Sequence, residues 1–368
     1  MSPRLATLAD RRAALVALMR EAALDRLLLI GNGHHMIDLG NPVAHMTGYR
    51  SVGPALLVIE RDGRQRLMVD VDEADAVAEL EGVECALTRD IRKEAGRFIG
   101  GGAIGVVGQS DAPLPLAKAI LAAADGRSLD GAFYTLTASK TETEIAAARR
   151  ATEIAEKGYA YLLDTVRPGV RECDLAIDVN LFMRGLGAND SFLMLNCGPR
   201  QDAVMPSTER AIAKGDLLLC ELSPSVEGQF TQICRTVSIG PAQAEARDKY
   251  PLLATAMHKA INIVKPGARL GDVCLAIDDD LSSAGYARYS RPPFIRRRGH
   301  GLGGGSTAPG DVAVDNDAIL TAGMLFMVHP NQFLPETGYM MCGEPVLVTD
   351  SGFEILSAKT AALAVTEA

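Results

Sequence analysis

Two stretches about 100 residues apart, "VRPGVRECDLAI" from Val166 and "VKPGARLGDVCLAI" from Val264, repeat one local pattern. In each, an apolar-periodic helix stops at a Pro-Gly pair and a second amphipathic helix begins directly afterwards. Each helix pair then leads into strand-like runs. "SFLMLN" and "DLLLCEL" follow the first pair, and "GMLFMVHP" and "GEPVLVT" follow the second. A duplicated helix-helix-strand unit folds as two pseudo-symmetric halves whose sheets face a shared cleft.

Upstream of the repeat the pattern is different. "LADRRAALVALMREAAL" has helical spacing, "DRLLLIG" is a short buried strand, "ALLVIERDGRQRLMVDV" reads as a hairpin about Asp62-Gly63, and "DEADAVAELEG" returns to helix. "GAIGVVG" adds another strand, so this part is an α/β domain. The break falls near "LTASKTETE", where Thr141 or Thr143 caps a long helix, giving domains at 1–138 and 139–368.

Composition fits two globular domains: 368 residues, 48% hydrophobic and 5% aromatic. A net charge of -9 excludes a general nucleic-acid binder, which needs a basic face, so "RRR" at Arg296 to Arg298 is a local feature, a solvated loop or an anion clamp. Seven cysteines without CxxC spacing read as free thiols of a reducing compartment. The N-terminal stretch is neither a signal peptide nor a membrane span, which makes a cytoplasmic protein the expectation and leaves no membrane partner.

Seven segments, in order, carry a resemblance over nearly the whole chain: "SKTETEIAAARRA", "IAKGDLLLCEL", "CRTVSIGPA", "INIVKPGARLGDV", "RRRGHGLGGG", "AGMLFMVHP" and "GEPVLVTDSGFEILS". The chain resembles the pita-bread fold family of methionine aminopeptidase, aminopeptidase P, prolidase and creatinase, and is most similar to its two-domain, non-peptidase members with a degenerate metal site. The resemblance implies an α/β N-terminal domain followed by an α+β pita-bread domain with an internal pseudo-two-fold repeat.

In that family's metallopeptidases two divalent ions are held by two Asp, one His and two Glu. The resemblance carries these positions to Glu221, Gln232, His300, His329 and Glu344, with Glu221 and Gln232 eleven residues apart as the family's aspartates are. Only His300 and Glu344 keep the residue type. Two carboxylates and a neutral amide at the bridging position balance two divalent ions poorly, so a dinuclear metallopeptidase is not expected. The family's two substrate-binding peptidase histidines fall at Val204 and Thr307. Creatinase hydrolyses a C–N bond without metal, yet its proton-shuttling His falls at Val204 and two of its Glu residues at Cys234 and His329, which excludes creatine itself.

The resemblance thus implies a creatinase-like enzyme, a metal-independent hydrolase of a C–N bond in a small, carboxylate-bearing metabolite, with no cofactor. His300 and His329 shuttle protons, and Glu221 or Glu344 activates water or holds a cationic group. Gln232, Cys234, Arg200, Arg298, His34 and His35 bind substrate. A second reading gathers His300, His329, Glu344 and Gln232 on one Fe, Mn or Zn ion for lyase or hydrolase chemistry. A third is a binding protein without catalysis.

Local context weighs on these roles. His300 sits among glycines that leave it little to pack against, which favours a chemical role. His329 ends the apolar run "MLFMV" and by itself reads as a hydrogen-bonded core histidine. A structural ion pair with Arg235 competes with catalysis for Glu221, because a buried carboxylate needs a partner. Cys234 reads as a small buried filler. The long loop "GNGHHMIDLGNPVAHMTGYRS" has too little apolar content to be core, and predicts a homodimer in which His34 or His35, with Tyr49 or Arg50, completes the partner's pocket.

Overall fold

A computed structural model gives the structure of residues 6–33, 36–123 and 126–366, so the expected roles of His34 and His35 lie outside the described residues. The chain divides into a first unit ending at Glu142 and a second beginning at Thr143.

Six strands build the first unit: β1 (Arg26–Gly31), β2 (Ala55–Glu60), β3 (Gln65–Asp70), β4 (Val83–Thr88), β5 (Ile104–Val107) and β6 (Arg127–Ser128). They form one mixed sheet in the order β4-β3-β2-β1-β5-β6. Around it lie α1 (Leu8–Glu21), α2 (Pro42–Thr47), α3 (Ala74–Val77), α4 (Ile91–Ile99), α5 (Leu114–Ala123) and α6 (Asp130–Thr137). The apolar run of β1 has a direct cause. Leu27 and Leu29 pack on one face with Leu15, Met19 and Phe133, while Leu28 and Ile30 pack on the other with Phe98, Ile99, Leu116 and Ile120. A strand covered on both faces shows no polar alternation.

The hairpin about Asp62-Gly63 is present, with Gly63 at φ +90. The helix expected over "DEADAVAELEG" is only a turn of 3-10 helix at Val71–Glu73 followed by α3. Tyr49 does not present a free hydroxyl to a pocket, because its OH donates to the Glu73 carboxylate, which also accepts from the Val52 amide at 2.9 Å.

The second unit opens with α7 (Glu142–Thr165) and α8 (Glu172–Gly185), followed by β7 (Asp190–Gly198), β8 (Leu217–Val226), β9 (Gln229–Phe230) and β10 (Ile233–Ile239). The second half repeats the order with α9 (Ala244–Ile261) and α10 (Leu270–Leu281), then β11 (Gly299–Gly301) and β12 (Leu325–Val328). It ends in β13 (Gln332–Leu334), β14 (Gly338–Met340), β15 (Glu344–Val348), β16 (Phe353–Ile355) and β17 (Ala364–Thr366). One sheet has the order β17-β10-β8-β7, another β11-β12-β15-β16, and β13 pairs with β14.

The repeat seen in the sequence recurs as a pair of backbone clasps. Gly169 N donates to Ile212 O at 2.8 Å and Ile212 N returns a bond to Val170 O at 2.9 Å. In the second half Gly267 N donates to Leu320 O at 2.9 Å and Leu320 N returns to Ala268 O at 2.8 Å. Each Pro-Gly stop is thus fastened to a loop of its own half, which satisfies the backbone groups freed where the helix ends. The halves meet at two stitches. Phe230 and Gly303 exchange bonds of 2.8 and 2.9 Å, and Cys234 and Gly343 exchange bonds of 3.2 and 3.3 Å.

Candidate active site

The two stitches bracket Gln232 and press it against the second sheet. Gln232 is buried, and its Oε1 lies 3.2 Å from His300 Nε2. Its Nε2 donates to Ser223 Oγ at 3.1 Å and reaches Glu221 Oε2 at 3.5 Å. Glu221 stands opposite Cys234 in the β8·β10 ladder, so the two side chains share a face. Cys234 Sγ is 3.9 Å from Glu221 Oε1 and 3.8 Å from Gln232 Oε1. Burial and the nearby Glu221 hold the Cys234 thiol well above its ordinary range, so it is a neutral filler of the cleft rather than a thiolate nucleophile.

His300 is placed by glycine. Gly299 has φ +150, and a Cβ there would lie 1.8 Å from Met327 O, so only glycine lets β11 approach β12 this closely. The other His300 nitrogen, Nδ1, lies 2.9 Å from Gly301 O. Gly301 O can only accept, so Nδ1 donates to it, while the orientation of the Gln232 amide sets whether Nε2 meets an acceptor or a donor.

His329 stands next to it, its ring edge-on at 5.6 Å between centroids. Its backbone N donates to Arg298 O at 2.9 Å, while Nδ1 is buried without a partner among the described residues. Burial first, and then the charges of His300 and Arg297, depress its ionisation well below the ordinary histidine value. His329 is thus a neutral imidazole whose buried Nδ1 has no partner among the described residues.

Glu221, Gln232, Cys234, His300 and His329 therefore come together, but Glu344 does not join them. Glu344 pairs with Val328 across the β12·β15 ladder, whereas the neighbouring position that faces His329 and Cys234 is Gly343. An added Cβ at Gly343 would lie 2.7 Å from His329 Cβ and 3.2 Å from Cys234 Cβ. On the opposite face the Glu344 carboxylate accepts from Arg235 Nη2 at 3.1 Å, from Ala361 N at 2.6 Å and from Ser357 Oγ. Burial raises its ionisation, and the guanidinium and these donors oppose the rise. Arg235 is thus the partner of Glu344 and not of Glu221.

Arg298 is also corrected. It is almost fully buried, with Nε and Nη2 each 2.7 Å from Asp278 Oδ1, Nη1 2.9 Å from Asn331 O and Nη2 3.0 Å from Gln332 Oε1. It fastens α10 to the segment after β12 and offers nothing to a substrate. Arg297 pairs with Asp311 at 2.7 Å, and Arg296 is exposed. Arg200 is exposed, donating to Pro335 O and resting over the Phe333 ring. The fold adds Ser223, Asn331 and Tyr339 to the cleft's surroundings. Asn331 Oδ1 accepts from Cys342 N at 3.0 Å, and burial followed by the charge of Glu221 raises the Tyr339 hydroxyl above the usual phenol range. None of the three carries a local motif that marks it in sequence.

The donor set decides whether a metal fits. Gly343 brings no donor, Glu344 is turned away and engaged by three groups, and Gln232 supplies an amide. No group of three or more His, Cys, Asp or Glu among the described residues is arranged to hold a metal ion. The expected single-ion set of His300, His329, Glu344 and Gln232 fails for the same reason. The residues present do not fit the two-ion site of the metallopeptidases.

Among solved structures the chain is similar to a prolidase from Pyrococcus horikoshii, with TM-score 0.86 and 20% identity over 96% of this chain and 99% of that one. It is also similar to an Xaa-Pro dipeptidase from Bacillus anthracis, with TM-score 0.85 and 23% identity over 98% and 100%. These likenesses establish the pita-bread fold. Among curated relatives, an uncharacterized peptidase of Staphylococcus aureus (strain USA300) is 28% identical over 222 residues, 59% of this chain and 62% of that protein. One from Bacillus subtilis (strain 168) is 26% identical over 216 residues, 58% and 60%. The chain thus spans about three fifths of the length of the curated relatives it matches.

Residues 146–350 match metallopeptidase family M24. That match and the peptidase names of the relatives overturn the expectation of a creatinase-like, non-peptidase C–N hydrolase. The expectation of an enzyme with no cofactor falls with it, since the family is defined by its metal. With more than half of its length matched, the chain belongs to metallopeptidase family M24.

Proposed function

We propose that the protein is a hydrolase of the amide bond in a short peptide, acting in the cytoplasm. The observation that carries this reading is the convergence of Glu221, Gln232, His300 and His329 within the segment matched to family M24. Glu221 is the carboxylate of that cluster and takes the proton of the attacking water. Gln232 links it to His300, which passes a proton to the departing amine. The Nδ1 of His329 holds the scissile carbonyl against the wall formed by Gly343 and Cys234. General acid-base work of this kind contributes about 10²- to 10⁴-fold in rate. The family is one of metallopeptidases, and the described residues form no metal-holding group of His, Cys, Asp and Glu, so these residue roles are derived without routing a step through an ion. Seven free cysteines suit a reducing compartment, and a homodimer, read from the long polar loop of the first unit, belongs to the same proposal.

The test is a panel of di- and tripeptides, Xaa-Pro sequences included. Protein as purified, chelated protein, and protein supplied with Mn²⁺, Co²⁺ or Zn²⁺ are assayed, with metal content measured alongside. We expect release of free amino acids from at least one peptide, with kcat lowered about 10²- to 10⁴-fold in Glu221→Gln and in His300→Asn. Failure to cleave any peptide in every condition refutes the assignment. Sedimentation at micromolar concentration reports the dimer, and a single monomeric species refutes that part.

A further inference from the structure

We propose that Arg200, Tyr289, Phe294 and Phe333 form a subsite for the C-terminal end of a ligand peptide, taking a free carboxylate on Arg200 and an aromatic last side chain on the three rings. The proposal deepens the reading of the cleft as a peptide site and rests on it for the word peptide.

The β13·β14 hairpin carries the argument. Phe333 and Tyr339 stand directly opposite in its ladder, so both side chains lie on one face. Tyr339 is buried at the cleft end, among Glu221, Cys234 and Asn331, and Phe333 continues the same face outward, half-buried. Phe294 stacks on Phe333 with centroids 5.3 Å apart and planes at 29°. Tyr289 meets Phe294 edge-on at 4.9 Å and Phe333 at 5.7 Å. All three rings are only partly covered, although three aromatics packed in a core would be closed off.

The charge on this shelf is distinctive. The Arg200 guanidinium lies 5.3 Å from the centre of the Phe333 ring, and its Nη1 donates to Pro335 O. Its outer edge is exposed. The nearby Glu336 carboxylate accepts from Tyr286 OH at 3.2 Å. Arg291 and Arg296, exposed in the same segment as Phe294, add positive charge to a chain whose net charge is -9. A guanidinium lying on a ring keeps its outer N–H groups free for the fork geometry that pairs with a carboxylate. Aromatic faces beside it favour a flat ring over a saturated one of similar size. The frame is fixed from within: Gln332 Nε2 donates to Tyr289 O at 2.8 Å, while Gln332 Oε1 accepts from the buried Arg298. A preformed shelf costs a ligand little ordering.

The experiment is a binding titration of the full chain, followed by NMR or calorimetry, and needs no turnover. N-acetyl-L-phenylalanine, its C-terminal amide and N-acetyl-L-proline are compared on wild type, Arg200→Ala, Phe333→Leu and Phe294→Leu, with each variant's fold checked by circular dichroism. We expect the acid to bind about ten-fold more tightly than the amide, and this preference to vanish in Arg200→Ala. The phenylalanine ligand should exceed the proline one by roughly five-fold, a margin lost in Phe294→Leu or Phe333→Leu while the preference for acid over amide remains. Equal binding of acid and amide, a preference unchanged by Arg200→Ala, or no binding at millimolar ligand overturns the proposal. Discrimination without peptide hydrolysis would sink the proposed function and leave the subsite standing.

Discussion

His329 ties the stability of the folded chain to pH. Its imidazole is held neutral, well below the ordinary value of 6.5, by burial and by the charges of His300 and Arg297. Because the unfolded chain takes up a proton below about 6.5 and the folded chain does not, this group's contribution to stability is complete above that pH. It is lost progressively as pH falls toward the folded-state value. We expect urea unfolding of wild type to lose up to about 1.4 kcal/mol per pH unit more than His329→Gln between pH 6 and 5. Parallel pH profiles would show that the ring is not held neutral. Arg298 teaches a different lesson at this scale. Its sequence neighbours "RRRGHG" suggested an anion site, yet Asp278, twenty positions earlier on α10, consumes the guanidinium. Nothing local in the sequence announces that partner.

At the scale of elements, the face a strand turns inward decides the chemistry. Glu344 was assigned to the cleft, and β15 places it on the opposite face with Gly343 turned toward His329. A shift of one residue along a strand exchanges its two faces. "CGEPVLV" is buried on both faces, so no polar alternation records which side is which. The helices and strands of the second unit were legible because their periodicities and Pro-Gly stops are local, and Glu221 and Gln232 were legible through their spacing on one hairpin. The inward face of β15 is a tertiary fact. Two substitutions test it by urea denaturation. Gly343→Ala should cost about 1–3 kcal/mol, because the new Cβ would sit 2.5 Å from Met327 Cε and 2.7 Å from His329 Cβ. Arg235→Met should cost about 3–5 kcal/mol by leaving Glu344 buried without its cation, and adding Glu344→Leu should recover part of that loss. A harmless Arg235→Met would mean that the pair is not closed as described.

For the molecule as a whole, each unit carries its own apolar clusters: two on either side of the sheet in the first, and a third built from α7, α8, β7, β8 and β10 in the second. Residues 139–368 expressed alone should therefore unfold in a single cooperative urea transition, since a unit with its own core folds without its neighbour. A non-cooperative or aggregated fragment would show that the core is not self-sufficient. The sequence read the two-part organisation from a change in patterning and the internal repeat from its Pro-Gly stops. It could not read the stitches at Phe230-Gly303 and Cys234-Gly343, which join backbone groups whose side chains carry no complementary signal.

The clasps and the last strand also set a timetable. During synthesis the clasp of Gly169 and Ile212 can close long before that of Gly267 and Leu320 has left the ribosome, so the first half of the repeat is free to assemble early. Its sheet is not finished at that moment. The outer edge of β10 is paired at Cys234 with Gly343 and at Val237–Ile239 with β17, whose residues 364–366 emerge after every other strand of that sheet. Until they arrive, a nearly complete and wholly buried-type strand presents unpaired N–H and C=O groups to the cell. The period from the completion of β10 to the emergence of β17 is thus when a nascent chain needs shielding from its neighbours on the same messenger RNA.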